Sequence, residues 1–139
     1  MPIELDDIGL NKVAIIERSI RRAREEYSFD LSLTNFTHID AMILNIERAC
    51  QAAIDLAMHI IARDKLGMPQ TSADAFRLLN RAGLLSKEIA QAMVAMTGFR
   101  NIAVHEYQSL DMEILRAIIE TRWRSLVDFC AELGGKIRP

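Results

Sequence analysis

The chain has 139 residues, of which 50% are hydrophobic and 26% are charged. This length and composition are typical of one folded domain and exclude a disordered protein, so we predict a single domain over residues 1–139. A net charge of −2 excludes a protein that binds nucleic acid through an overall positive field, although it leaves a local phosphate site open.

Hydrophobic residues recur at steps of three and four through most of the chain, which is the period of α-helices. A first helix is predicted from about Leu5 to Tyr27, and its inner face is expected to carry Ile8, Val13, Ile16 and Ile20. A polar stretch over residues 28–34 separates it from a long second helix, from about Asn35 to Leu66. The second helix is predicted to end there because Gly67 and Pro69 follow, an arrangement typical of helix ends.

Three further helices are predicted in the second half of the chain. A short third helix follows the cap residue Thr71 and covers about residues 73–82. Ser86 caps a fourth helix that continues toward Tyr107. Asp111 opens a fifth that runs to about Leu133, with Ile114, Ile118, Leu126 and Phe129 on its apolar side. The fold is therefore predicted to be all-α, an antiparallel four-helix-type bundle with one additional short helix.

Residues that could hold a metal or cofactor do not cluster in the sequence. Cys50 and Cys130 lie in apolar stretches and are expected to be buried thiols. Asp55 and His59 are four residues apart and most simply form a polar pair within the second helix, whereas His38 is expected to be a surface or capping residue. Glycine-rich phosphate loops and the GxSxG nucleophile motif are absent from the sequence. We therefore expect no metal and no cofactor.

The sequence shows no sign of export or membrane insertion. No apolar run approaches the ~18–20 residues of a membrane span. The acidic start is unlike a signal peptide. We therefore expect a cytoplasmic protein that does not associate with membranes.

The segment from Arg100 to Tyr107 departs from the pattern of the fourth helix. At about 100° per residue, Arg100 and Tyr107 fall at the end of a stripe that should face the core. That stripe consists of Ile89, Met93, Met96 and Ala103. An unpaired charge in a core is costly, so Arg100 either extends its head to the end of the bundle, pairs with an acidic neighbour, or belongs to a functional site.

The other side of the fourth helix carries small and polar residues, which would allow another helix to approach closely, either from the same chain or from a second subunit. They are Ala90, Val94, Thr97, Gly98, Asn101 and His105. Arg100 and His105 are about 140° apart on a straight helix. They can therefore share a site only if the helix ends or distorts near His105, or if a partner subunit completes the site, and the sequence leaves both possibilities open.

The chain contains an arginine that is followed, after four residues, by a histidine and, after one more residue, by a tyrosine. This pattern resembles the motif of the HepT toxins in the HEPN ribonuclease superfamily. Arg100, His105 and Tyr107 occupy these positions. The similarity includes residues 45–59, 72–85 and 96–107 and covers most of the chain from about residue 40 onward.

The resemblance implies a HEPN-like homodimer that acts as a toxin and cleaves RNA without a metal. Arg100 and His105 would be the catalytic pair, because an arginine can stabilise charge on phosphorus and a histidine can exchange protons near neutral pH. Asn101 would support them by orienting the phosphate or the imidazole. The implied partner is an MntA-like nucleotidyltransferase antitoxin that adds AMP groups to Tyr107, which would block the position of the RNA phosphate.

Two other hypotheses remain open from the sequence. The protein could be a noncatalytic nucleotide- or partner-binding subunit of a minimal nucleotidyltransferase complex, or a purely structural helical dimer. Metal-independent RNA cleavage that is abolished by His105→Ala would select the ribonuclease.

Overall fold

The structure is a computed structural model that describes residues 4–139. Its helices are α1 (Asp7–Ser28), α2 (Phe36–Asp64), α3 (Ser72–Arg81), α4 (Lys87–His105), α5 (Met112–Ala117) and α6 (Arg124–Glu132). A 3₁₀ turn at Tyr107–Ser109 follows α4, and a π-helical turn at Ile118–Arg122 joins α5 to α6. Residues 4–139 contain no strand, and they form four long helical runs with the short α3 between the second and third of them. The predicted all-α bundle is thus confirmed.

The helices begin where side chains can accept the free N–H groups of a first turn. The acceptors are Asp6 for α1, Asn35 for α2, Thr71 for α3, Ser86 for α4 and Asp111 for α5. At the other end of α2, Lys65 adopts a left-handed conformation with φ 55°, and Gly67 follows with φ 141°. These local signals explain why the helix boundaries could be predicted closely.

A single hydrophobic cluster joins all of the helices. At its centre, Phe76 of α3 meets Phe129 of α6 edge to face, with 5.5 Å between ring centroids. Cys50 and Cys130 are buried free thiols in this cluster, as predicted. The core therefore holds α4 rigidly against α2, the arrangement on which the site described below depends.

The last helical run is not the uniform helix that was predicted. Its π-helical turn ends at Arg122. The ring of the next residue, Trp123, interacts with the guanidinium groups of Arg24 and Arg124, which lie 4.2 and 5.4 Å from the ring centroid. The extra residue of a π turn changes which side chains face inward. Ile118 and Ile119 are both buried as a result.

Two predicted core residues are wrong. Ile8 is 53% exposed because it lies about 80° around α1 from buried Ile16, whereas Gly9 occupies the buried line. Ile114 is 45% exposed because it faces an open groove between α4 and α5.

The predicted environments of His38 and His59 are also wrong, because each of these two side chains finds a partner on another part of the chain. His38 contacts Glu26 of α1 through Nδ1 at 2.5 Å and stacks on Phe29. His59 contacts Asp6 at 2.7 Å and does not pair with Asp55. Asp55 instead accepts a hydrogen bond from Gln51 at 2.9 Å and lies 3.5 Å from the Lys12 ammonium.

Within the described residues, no helix is both long and apolar enough to cross a membrane.

Candidate active site at the end of the fourth helix

Helix α4 ends at His105. The next residue, Glu106, leaves the helical conformation with φ −138° and ψ 48°, while its N–H still donates to the Ile102 carbonyl at 2.8 Å. The chain then makes the 3₁₀ turn that begins at Tyr107. Of the two arrangements that would let Arg100 and His105 share a site, the end of the helix near His105 is therefore present in one chain.

Arg100 is half-buried and keeps most of its donors free. Its Nε is fully buried and has no hydrogen-bond partner within residues 4–139, and its Nη1 donates to Asn101 at a long 3.3 Å. A guanidinium has five N–H donors, so this arginine has spare capacity for an anion. Its charge reaches α2, since burial raises the pKa of the Cys50 thiol to about 12 and the nearby Arg100 guanidinium opposes that shift.

His105 and Asn101 are exposed and lie one turn apart on the same side of α4. The described part of the chain gives the His105 imidazole no hydrogen-bond or ion-pair partner. Neither ring nitrogen is thus engaged by residues 4–139. The structure links Arg100 to Asn101 by a hydrogen bond, whereas no such bond joins Arg100 to His105.

Tyr107 is 44% exposed, and its hydroxyl donates to the carboxylate of Asp40 in α2. Burial, together with the hydrogen bond to Asp40 and its negative charge, raises the pKa of Tyr107 to about 12. The phenol is therefore protonated at neutral pH. Asp40 was not among the predicted site residues, because nothing in its local sequence distinguishes it from other exposed acids at the start of a helix.

An apolar groove of about 540 Å³ runs between α4 and the α5–α6 run, beside the site. Its α4 wall combines small residues, among them Ala95 and Gly98, with larger apolar side chains such as Phe99, and a Cβ added at Gly98 would meet nothing within 4 Å. On the small and polar face of α4 that was predicted to admit another helix, Ala90 and Thr97 are buried by the chain itself, whereas Gly98 lines the open groove.

Residues 4–139 include no group of three or more histidine, cysteine, aspartate or glutamate side chains placed to hold a metal ion. The side chains available for chemistry at the end of α4 are thus Arg100, Asn101, His105 and Tyr107, with Asp40 added from α2.

These features define a class of helical-bundle proteins that carry an arginine, a histidine and a tyrosine at the end of the fourth helix. The chain belongs to the ribonuclease HepT-like family, whose model matches residues 16–133. The resemblance to HepT toxins that the sequence indicated is thereby confirmed.

Individual relatives support the same assignment. The chain is similar to the mRNA nuclease HepT of Shewanella oneidensis, with 39% identity over 117 residues that cover 84% of this chain and 88% of that protein. The tRNA nuclease HepT of Aphanizomenon flos-aquae is 33% identical over 87 residues, or 63% of this chain and 59% of that protein. A solved structure of the tri-AMPylated S. oneidensis HEPN toxin in complex with an MNT antitoxin is similar with a TM-score of 0.88 and 37% identity, covering 93% of this chain and 98% of that one.

Proposed function

We propose that this protein is the toxin of a toxin–antitoxin pair, a metal-independent endoribonuclease that is silenced by addition of AMP to Tyr107. The relatives above are an mRNA nuclease and a tRNA nuclease, and the similar structure is an AMPylated toxin with its antitoxin. The observation that carries the assignment of residues is the end of α4 at His105, five residues after an arginine with unused donors.

Arg100 is the phosphate ligand in this mechanism. Attack of the ribose 2′-hydroxyl on the adjacent phosphorus builds negative charge on the phosphoryl oxygens. A guanidinium that is always charged and presents several N–H donors stabilises that charge without a metal. Asn101 accepts a hydrogen bond from Arg100 and so orients its head.

His105 exchanges the protons. The 2′-hydroxyl loses a proton as it attacks, and the departing 5′-oxygen gains one. An imidazole with an ordinary pKa of ~6.5 can serve either transfer near neutral pH. A homodimer places two copies of this imidazole in one protein, one for the acid and one for the base.

The α4–α5 groove is the surface on which a second copy would pack. Its floor is apolar, while Asp111 and Glu113 lie on its lining together with Arg122. A two-fold axis makes each surface face its own copy, so that acidic residues of one subunit can meet the arginine of the other. Dimerisation would also bring a second Arg100 near the RNA and so concentrate positive charge locally, in a chain whose net charge is −2.

The antitoxin partner would be an MntA-like nucleotidyltransferase that acts on Tyr107. Tyr107 is 44% exposed and follows the end of α4. A phosphate attached there would add negative charge at the same end of α4 that carries Arg100 and His105. It would occupy the position of the RNA phosphate and repel the RNA backbone.

The direct test is RNA cleavage by the isolated, unmodified protein in EDTA. We expect wild type to cleave and His105→Ala to be about 10²–10⁴-fold slower. Gln108→Ala, an exposed residue in the following turn, is the matched control and should cleave like wild type. Intact RNA with a folded, unmodified wild type would instead identify the noncatalytic partner-binding subunit.

A further inference from the structure

The contact between Asp40 and Tyr107 brings a carboxylate from α2 onto the atom that becomes modified. Asp40 lies in the second turn of α2 and is exposed. Its carboxylate accepts the hydrogen bond of the Tyr107 hydroxyl and has no other hydrogen-bond or ion-pair partner within residues 4–139. It is thus a base with spare capacity that already accepts the hydrogen bond of the proton to be transferred.

We infer that Asp40 is the base that takes the proton of Tyr107 when this tyrosine attacks a nucleoside triphosphate. The inference rests on the proposed silencing of the protein at Tyr107. In the reaction, the Tyr107 Oη forms a bond to the α-phosphorus of ATP held by the nucleotidyltransferase. The bond from that phosphorus to the bridging oxygen breaks, pyrophosphate leaves with the electron pair, and the phenolic proton passes to the Asp40 carboxylate and then to water.

The need for a base in contact follows from the state of the phenol. A pKa of about 12 leaves very little tyrosinate at neutral pH, so ionisation before attack supplies little nucleophile. Transfer to a carboxylate during the formation of the O–P bond avoids that intermediate, because the phenol becomes more acidic as its oxygen bonds to phosphorus. His105 makes no hydrogen bond to the Tyr107 hydroxyl, and Arg100 has no acceptor to offer.

The contact between Asp40 and Tyr107 would also determine on which side of Tyr107 the new phosphate lies. Once Tyr107 is esterified, it has no proton to donate and the new phosphate is negative. Repulsion from Asp40 and attraction to Arg100 would then favour a position of the phosphate over the cationic side of the site. A later AMP unit that is added to the ribose of the first one would lie beyond the reach of Asp40.

The test is a time course of modification followed by intact mass, with the full chain, its cognate nucleotidyltransferase, Mg²⁺ and ATP. We expect Asp40→Asn, which keeps a hydrogen-bond acceptor but is not a base, to slow the first AMP addition by about 100-fold or more. The KM for the toxin should change little, since the acceptor is retained. Asp40→Glu should restore part of the rate.

The distribution of products gives an independent signature. In Asp40→Asn, later additions should proceed at the wild-type rate, so unmodified and fully modified chains coexist without build-up of the singly modified form. Glu47→Gln, another acid on α2 that makes no hydrogen bond to Tyr107, is the matched control and should be modified like wild type.

The role of Asp40 and the proposed silencing at Tyr107 would be contradicted by different results. If wild type is modified and Asp40→Asn is modified equally fast, Asp40 is not the base. A lower rate that comes entirely from KM would assign Asp40 only to positioning and overturn the inference as well. If wild type is never modified, or Tyr107→Phe is modified as well as wild type, the proposed silencing at Tyr107 is wrong.

Discussion

Asp6 and His59 join the start of the first helix to the C-terminal part of the second. The Asp6 carboxylate accepts the Gly9 N–H at 2.8 Å as the cap of α1, and it contacts His59 Nε2 at 2.7 Å. Arg63 lies 3.7 Å from the same carboxylate. One side chain therefore both starts α1 and fixes its position against α2.

We expect this carboxylate to make stability depend on pH. The Gly9 N–H, followed by the His59 hydrogen bond, holds the pKa of Asp6 below its ordinary value. A carboxylate whose folded-state pKa is lowered stabilises the protein above its unfolded-state pKa of ~3.9, and this contribution disappears as the pH falls through the lower folded-state pKa. Asp6→Asn keeps a good helix cap but removes the charge.

The measurement is thermal melting of wild type, Asp6→Asn and Asp6→Ala between about pH 6 and pH 3. The melting temperature of Asp6→Ala should be the lowest at pH 6, and that of Asp6→Asn should lie between the other two. The gap between wild type and Asp6→Asn should narrow toward pH 3. A gap that stays constant over this range would show that the charge of Asp6 does not contribute.

Arg100 should matter for activity and not for folding. Its buried Nε finds no hydrogen-bond partner among residues 4–139, and an apolar side chain of similar length would remove this uncompensated polar group. We expect Arg100→Met to lose RNA cleavage while its free energy of unfolding stays within about 1 kcal/mol of wild type or rises. Urea denaturation and a cleavage assay measure the two quantities separately.

Phe76→Ala provides the contrast for this experiment. Phe76 is fully buried against Phe129, and its truncation should cost about 3–5 kcal/mol. If Arg100→Met were destabilised to a similar degree, the arginine would be a structural residue and its place in the cleavage mechanism would be in doubt.

The helices could be predicted from the sequence because their signals are local. A cap residue such as Ser86 or Asp111 acts within one turn, so its effect is visible in a short window. The motif at Arg100 and His105 is equally local. The contact of Asp40 with Tyr107 is not, since 67 residues separate the two and only the packing of α2 against α4 brings them together.

The same distinction explains the errors. His38 was expected to be a surface or capping residue, because its partner Glu26 lies in another helix. Ile114 was expected on the apolar side of its helix, because its spacing matches that of its buried neighbours. Whether an apolar position is covered depends on what packs opposite it. One sequence does not contain that information for the groove beside α5.

Tyr107→Phe should remain toxic in the presence of the nucleotidyltransferase antitoxin. Phenylalanine lacks the hydroxyl that receives AMP, so the nucleotidyltransferase should not relieve growth arrest caused by this variant. Co-expression with the antitoxin, scored for growth and for RNA integrity, measures the effect. Rescue of Tyr107→Phe to the level of wild type would place the silencing modification on another residue.

The α4–α5 groove should determine the oligomeric state. A Cβ added at Gly98 meets no atom within 4 Å, and the residue lines the open groove, so we expect Gly98→Leu to fold and to fill the space that a second copy would occupy. The glycine is helical and has no positive φ, and the substitution therefore introduces no backbone strain.

We expect light scattering to give a dimer mass for wild type and a monomer mass for Gly98→Leu at the same concentration. We also expect RNA cleavage to fall with the loss of the dimer, because each monomer retains only one His105. A Gly98→Leu dimer with wild-type activity would show that the second copy binds elsewhere, whereas an active monomer would show that one subunit holds a complete site.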